Sequence, residues 1–168
     1  AGIGYVRIRR FGERTGPELD LALKDLRKKG LSKGIVLDLR DNPGGLLRSG
    51  VDVADRFLSE NKLIVYSMGR ENAAPRKDYY AAGDAGDEKF PLVVLLNSGS
   101  ASASEIVAGA LKDHKRPLLI GEKTYGKGSV QQLIPMRATQ NQTQLRLTIA
   151  KYYLPGGECI HEKGIQPD

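Results

Sequence analysis

Apolar and polar residues change their period several times along this chain, and each change predicts an element. Over 4–9 they alternate (Gly4-Tyr5-Val6-Arg7-Ile8-Arg9), as on a strand with one face buried. A turn over 12–16 follows, with Thr15 placed to cap a helix that begins at Pro17, a residue suited to the first helical position. Leu19, Leu23 and Leu26 then recur at helical spacing until Gly30. Residues 34–40 are more continuously apolar, which predicts a buried strand, and Asp41-Asn42-Pro43-Gly44-Gly45 reads as a turn.

A helix is expected over 47–58, its faces marked by Val51, Ala54, Asp55 and Leu58, then a strand over 63–67. The stretch 69–89 is polar and mixed in charge, with Tyr79-Tyr80 in its middle, and reads as a loop or a hairpin. An apolar strand over 91–96 meets a run of small residues and then a helix pattern over 105–113. Strands follow over 117–120, 131–135 and 144–153, the last with Leu145, Leu147 and Ile149 alternating. Strands alternating with helices argue an α/β architecture with a largely parallel sheet. Sites in such sheets lie beyond the carboxyl ends of strands. The turns 41–45 and 97–102 both fall there.

Composition narrows the picture modestly. The 168 residues with 40% hydrophobic content fit one domain, 1–168, with a core of its own. The net charge is +6, but both signs are interspersed. The basic cluster Arg27-Lys28-Lys29 ends a helix, where cations complement the dipole. Basic residues lack the aromatic interleaving of a nucleic-acid binder. A single Cys159 excludes an internal disulfide framework. No apolar run approaches the roughly 20 residues that span a bilayer, so membrane association is not indicated. No signal-peptide pattern opens the chain.

The chemistry concentrates in Asn97-Ser98-Gly99-Ser100-Ala101-Ser102-Ala103-Ser104-Glu105 and in Thr124-Tyr125-Gly126-Lys127-Gly128. Ser102 stands where the helix begins, and Ser102 to Glu105 has the capping-box pattern. One reading makes Ser102 a cap and nothing more. The other makes it a nucleophile, since a helix amino terminus favours a developing alkoxide and leaves the Ala103 N–H free for an oxyanion. Lys127 is equally open: a surface lysine in a tight turn, or a base whose glycine neighbours let the backbone approach another segment. The spacing of a phosphate-binding loop is absent. Neither His114 nor His161 stands in a catalytic context, and no ligand spacing points to zinc. Asp38, Asp41 and Asp113 show no paired-carboxylate pattern. For a hydrolase, lysine is the simplest base.

Three blocks carry a resemblance: Leu37-Asp38-Leu39-Arg40-Asp41-Asn42-Pro43-Gly44-Gly45-Leu46-Leu47, the segment 99–111, and Gly121 through Gln131. Lys151-Tyr152-Tyr153-Leu154-Pro155 and Lys163-Gly164-Ile165-Gln166-Pro167-Asp168 extend it. In that order they resemble the carboxyl-terminal processing, or tail-specific, proteases over nearly the whole chain. The resemblance implies a crotonase-like (ClpP-like) α/β fold and a serine endopeptidase that cleaves protein substrates near their carboxyl termini. It matches Ser102 to the nucleophile, Lys127 to the base and Gln131 to the glutamine that orients the lysine. Ala103 and one of Gly44 or Gly45 would supply the oxyanion hole. Asp113 matches an acidic position for which a structural role is the better reading.

Under this scheme Lys127 takes the Ser102 proton during attack on the peptide carbonyl and returns it to the leaving amine. The site must be dry, because an exposed lysine near its ordinary pKa of about 10.4 is charged at neutral pH. No metal or organic cofactor is needed. The partners implied are polypeptide substrates with carboxyl-terminal tails, and the compartment implied is extracytoplasmic: periplasm, cell envelope or thylakoid lumen. Family members usually carry a PDZ domain and often helical segments ahead of the first strand, which these 168 residues do not show; oligomeric state is not legible. Two other classes compete: a non-catalytic binding module on the same fold, and an enzyme acting on coenzyme A thioesters. The joint presence of Ser102, Lys127 and Gln131 argues against both.

Overall fold

The computed structural model describes residues 2–30, 33–70, 74–83, 90–137 and 142–168. In chain order the elements are β1 (Ile3–Arg7), α1 (Thr15–Lys28), β2 (Gly34–Asp38), α2 (Leu47–Asp55), β3 (Leu63–Gly69) and β4 (Lys77–Tyr80). They continue with β5 (Leu92–Leu96), α3 (Ala103–Asp113), β6 (Pro117–Gly121), β7 (Ser129–Pro135) and β8 (Gln144–Tyr153).

Strands β1, β2, β5 and β6 form a parallel sheet in that order. Each strand is added on the same side of its predecessor, so right-handed crossovers place the connecting helices on one face. Burial follows the two-residue period. Ile35, Leu37, Leu92, Val94, Leu96 and Leu119 enter the core with Leu23, Val53 and Ile106. Val36, Val93 and Leu95, which alternate with them, are only partly buried.

The second sheet, in the order β4-β3-β8-β7, is antiparallel throughout. The expectation of a largely parallel sheet therefore holds for half of the strands. The reason is connection length: β3 to β4 and β7 to β8 are joined by fewer than the dozen or so residues a parallel crossover needs. Of the two readings of 69–89, the hairpin forms, while 71–73 and 84–89 lie outside the described residues.

Several boundaries shift by a few residues, and two of the shifts have a visible cause. Thr15 is the first residue of α1 rather than its cap, and its hydroxyl accepts the Gly12 N–H at 2.9 Å. Helix α2 stops at Asp55, before Leu58, because Phe57 and Leu58 turn back with i→i+3 bonds onto Ala54 and Asp55. The Asp55 carboxylate meanwhile accepts the Ala82 N–H at 2.7 Å, tying that end to the segment after β4.

Helix α3 positions the site. Ala103 through Leu111 are all buried, so this stretch of the helix is enclosed on every side, with Ser104 and Glu105 as its buried polar groups. Gly109 admits Leu154 and Ile165: a methyl group there would stand 2.5 Å from a Leu154 carbon. Truncating fully buried Ile106 or Leu111 to alanine removes contacts worth about 2–5 kcal/mol. The helix points its amino terminus at the carboxyl end of the parallel sheet, with the serine turn between.

Candidate active site

The turn at 39–45 and the serine turn at 97–104 are held together by buried side chains. Asn42 is fully buried; its amide donates to the Ile8 carbonyl at 2.7 Å and its Oδ1 accepts the Gly44 N–H at 2.9 Å. The Asn42 carbonyl accepts the Ala101 N–H and the Ser104 hydroxyl, both at 2.9 Å. The Ser100 hydroxyl donates to the Leu39 carbonyl at 2.8 Å. Asp41, at φ 58°, exchanges two bonds with Asn97: its N–H donates to Asn97 Oδ1 at 2.8 Å, and Asn97 Nδ2 donates to its carboxylate at 2.7 Å.

Just before this turn, the fully buried Asp38 carboxylate accepts Arg40 Nε at 2.9 Å, Arg40 Nη2 at 2.7 Å and the Tyr5 hydroxyl at 2.7 Å. The Arg40 bonds hold the Asp38 carboxyl well below the usual carboxylate range. The same contact raises the Arg40 pKa. The Tyr5 hydroxyl is likewise raised, chiefly by its bond to Asp38.

These bonds sort the four serines. Ser100 and Ser104 are buried and spend their hydroxyls on backbone carbonyls, and Ser98 is exposed. Ser102 is half-buried, and its hydroxyl donates to no acceptor among the described residues. Its backbone is at φ 56°, ψ −112°, a region that a residue with a Cβ rarely occupies. The predicted capping box forms in both halves: the Ser102 side chain faces the Glu105 N–H, and Glu105 Oε2 accepts the Ser102 N–H at 2.7 Å.

Glu105 does more than cap. It is fully buried, and its Oε1 accepts the Thr124 hydroxyl and the Gly126 N–H, each at 2.6 Å. Its Oε2 accepts the Lys127 N–H at 2.8 Å beside that of Ser102. One carboxylate thus fastens the amino terminus of α3 to the loop that carries Lys127. Thr124 passes the connection on, accepting the Ile165 N–H at 2.7 Å. The two glycines around Lys127 serve close approach as their sequence suggests. Gly126, at φ 92°, packs against Glu162 and Gly164, and Gly128 against the His161 backbone.

Sequence reasoning missed Glu105 as a clamp, because its spacing from Ser102 already had an explanation in the capping box. It also missed Asn42, Asn97 and Thr124, whose bonds run to residues far along the chain. His161 is a further surprise: with Pro43, Gly99, Ala101, Tyr125 and Lys127 it lines an open groove of about 700 Å³. Among the described residues its buried Nδ1 has no partner, while its Nε2 lies 3.8 Å from Glu162. His114 instead meets the Leu63 carbonyl at 2.7 Å. Asp113 accepts the Gly156 N–H at 2.7 Å, a structural role.

The backbones of Ser102 and Lys127 are brought together, but their reactive atoms are not bonded. Among the described residues no hydrogen bond joins the Ser102 hydroxyl to the Lys127 amine, or Lys127 to Gln131, and both Lys127 and Gln131 are exposed. Gln131 follows an irregularity in the β7–β8 register between Val130 and Gln131, of the kind that re-aims side chains near sites. The Ala103 and Gly45 N–H groups have no acceptor among the described residues, whereas that of Gly44 is taken by Asn42. A methyl group on Gly44 would stand 2.7 Å from Ser102 Cβ and 2.9 Å from Ala103 N, so glycine is required for this approach. No group of three His, Cys, Asp or Glu side chains converges among the described residues. No helix among them is long and apolar enough to cross a membrane.

Known proteins resemble this chain in sequence and in fold. The chain is 48% identical over 169 residues to the carboxy-terminal-processing protease of Bartonella bacilliformis, covering 99% of this chain and 38% of that one. It is 43% identical over 166 residues to the carboxyl-terminal-processing protease of Synechocystis, covering 99% of this chain and 37% of the relative. The solved structure of a photosystem II D1 C-terminal processing protease superposes with a TM-score of 0.89 at 40% identity, over 99% of this chain and 41% of that chain. The chain thus spans well under half the length of these relatives. Peptidase family S41 matches residues 2–168, and the chain belongs to that family.

Proposed function

We propose that residues 1–168 form the single protease core domain of a serine endopeptidase that cleaves polypeptides near their carboxyl termini. Ser102 is the nucleophile, Lys127 the general base and Gln131 the residue that orients it. The observation that carries this reading is the backbone of Ser102. An N-cap needs only β-region angles, so capping does not account for φ 56° and ψ −112°. Strain of this kind, costing roughly 1–3 kcal/mol, persists where function uses it, and a sharp strand-to-helix turn is a familiar way to present a nucleophilic serine.

The chemistry follows from the groups present. Lys127 removes the Ser102 proton as Oγ attacks the carbonyl carbon, and the oxyanion is held by backbone donors at the amino terminus of α3. Ala103 supplies one donor. Gly45 supplies the other, since its N–H is unengaged while that of Gly44 is bonded to Asn42. Gly44 contributes the room. Protonated Lys127 then donates to the leaving amine, and water activated by Lys127 releases the acyl group from Ser102. A neutral amine is favoured by desolvation. Lys127 is exposed, so that desolvation has to arrive with a substrate in the groove or with a segment covering β7.

The relatives' names support carboxyl-terminal processing as the activity and polypeptide tails as the substrate. A crotonase-like core and an extracytoplasmic site of action belong to the same proposal, resting on the resemblance in the motif blocks. The test is cleavage of an unstructured protein ending in an apolar tail, by the chain and by its Ser102→Ala and Lys127→Ala variants. Loss of activity by 1,000-fold or more in both is expected, on the order of what removing a member of a nucleophile–base unit costs. Equal activity in all three would overturn the site.

A further inference from the structure

The proposed mechanism leaves one polar group of the groove without a task, His161. The groove reaches Ala101, next to Ser102, and Lys127, and His161 forms part of its wall. Its backbone is fixed by the segments that hold the lysine loop. The Ile160 N–H donates to the Tyr152 carbonyl at 3.2 Å, the Glu162 N–H donates to the Gly126 carbonyl at 2.8 Å, and Gly128 packs on the His161 backbone. The side chain is 29% exposed, yet Nδ1 is enclosed and has no partner among the described residues. Enclosed polar groups are nearly always paired, and a bare N–H is rarer than a bare acceptor. The ring proton therefore belongs on Nε2, the nitrogen that an occupant of the groove can meet. Glu162 Oε1 stands 3.8 Å from it, beyond hydrogen-bond reach. His161 thus offers the groove one uncommitted N–H.

The surroundings decide which acceptor it suits. A carboxylate is disfavoured, because Glu162 already places a negative charge beside Nε2. Lys127, the other charge on the groove, is engaged in the proposed chemistry. The walls at Gly99, Ala101 and Gly126 carry no long side chain, so a main chain can lie close against them. Main-chain hydrogen bonds supply affinity whatever side chains the occupant carries. We infer that the His161 Nε2–H donates to a main-chain carbonyl of the polypeptide seated in the groove, which makes His161 a substrate-binding residue. This deepens the protease reading and rests on it for the nature of the occupant.

The test uses the full encoded polypeptide. The active form gives kcat and KM for a fluorescent tail peptide, and a Ser102→Ala form gives its Kd by anisotropy. His161→Leu should raise KM and Kd about tenfold, the order of one hydrogen bond, with kcat within about threefold of the parent. His161→Gln, whose amide can reach the Nε2 position, should restore both to within about threefold. His161→Asn, which reaches only the Nδ1 position, should behave like His161→Leu. Replacing one peptide carbonyl at a time by a thiocarbonyl, a weaker acceptor, should weaken parent binding at one position and leave His161→Leu unaffected there. Unchanged Kd in His161→Leu, rescue by Asn as good as by Gln, or equal thiocarbonyl sensitivity in parent and His161→Leu would overturn the inference. Cleavage that survives Ser102→Ala, or a parent that binds the peptide without cleaving it, would count against the protease reading, while the Kd comparison still decides on His161. A parent that binds no peptide would overturn both.

Discussion

The Ser102 side and the Lys127 side, the proposed nucleophile and base, are built to different standards. Ser102 sits between a fully buried helix and a turn stitched by Asn42, Ser100, Ser104 and Asn97, at the carboxyl end of a parallel sheet. Lys127 and Gln131 stand exposed where an antiparallel hairpin begins, and Leu133, Leu145 and Leu147 beyond them are 46–54% exposed. The loop bearing Lys127 is tied down at its backbone by Glu105 and the segment 160–164, while its side chain is left to solvent. The difference shows where preorganisation resides in this chain. The Ser102 backbone and the amino terminus of α3 are set by the core, whereas the Lys127 side chain is held by nothing comparable among the described residues.

The sharpest way to break the comparison is to remove the tie between the two sides. Glu105→Ala takes four hydrogen bonds from a buried site, and stability should fall by about 3 kcal/mol in urea unfolding. Glu105→Gln keeps the volume and should cost less, about 2 kcal/mol, because one amide NH₂ must face donors. In both, turnover should drop on the order of 100-fold with KM little changed, since misplacement by about 1 Å is worth that much.

Gly44→Ala should act on the nucleophile side alone. Its methyl group meets Ala101 O and Ser102 Cβ, each at 2.7 Å, with φ at 93°. A tenfold or greater loss of turnover is expected, with a stability cost of about 1–3 kcal/mol. Gly45→Ala collides instead with the Phe11 carbonyl, so its deficit should appear first in the unfolding midpoint.

Acid should loosen the base of the nucleophile turn. The Asp38 pKa is depressed in the folded chain by Arg40, so its contribution is fully present above the unfolded value of about 3.9 and is lost as pH falls through the lower folded value. The urea midpoint should therefore decline below about pH 4, and Asp38→Asn should flatten that decline relative to the parent. The smallest effect belongs to the other side: Leu133→Thr, at an exposed hairpin position, should change stability by no more than about 0.5 kcal/mol. A larger loss would mean that the hairpin is packed more firmly than the serine turn's surroundings require.

Much of the molecule is legible in residue order because local chemistry decides it. The apolar periods give the strands and helices, the small-residue turn gives Ser102 its place before α3, and the glycines around Lys127 announce a close approach. Helix ends were less accurate: α2 stops early because its last turn tightens and Asp55 bonds to Ala82, a partner 27 residues away. The same limit hid the clamp. A Glu three residues after a Ser is explained by capping alone, and nothing in the spacing tells that Thr124, Gly126 and Lys127 converge on it.

What the sequence determined by itself is therefore the set of elements and the two loops that carry Ser102 and Lys127, because propensity and periodicity act over a few residues. Tertiary structure decided how those loops are joined, which serines spend their hydroxyls on backbone carbonyls, and which glycine N–H Asn42 takes. Those outcomes depend on backbone angles and on bonds between residues 19 to 62 positions apart, which come into being once packing has fixed where each segment lies.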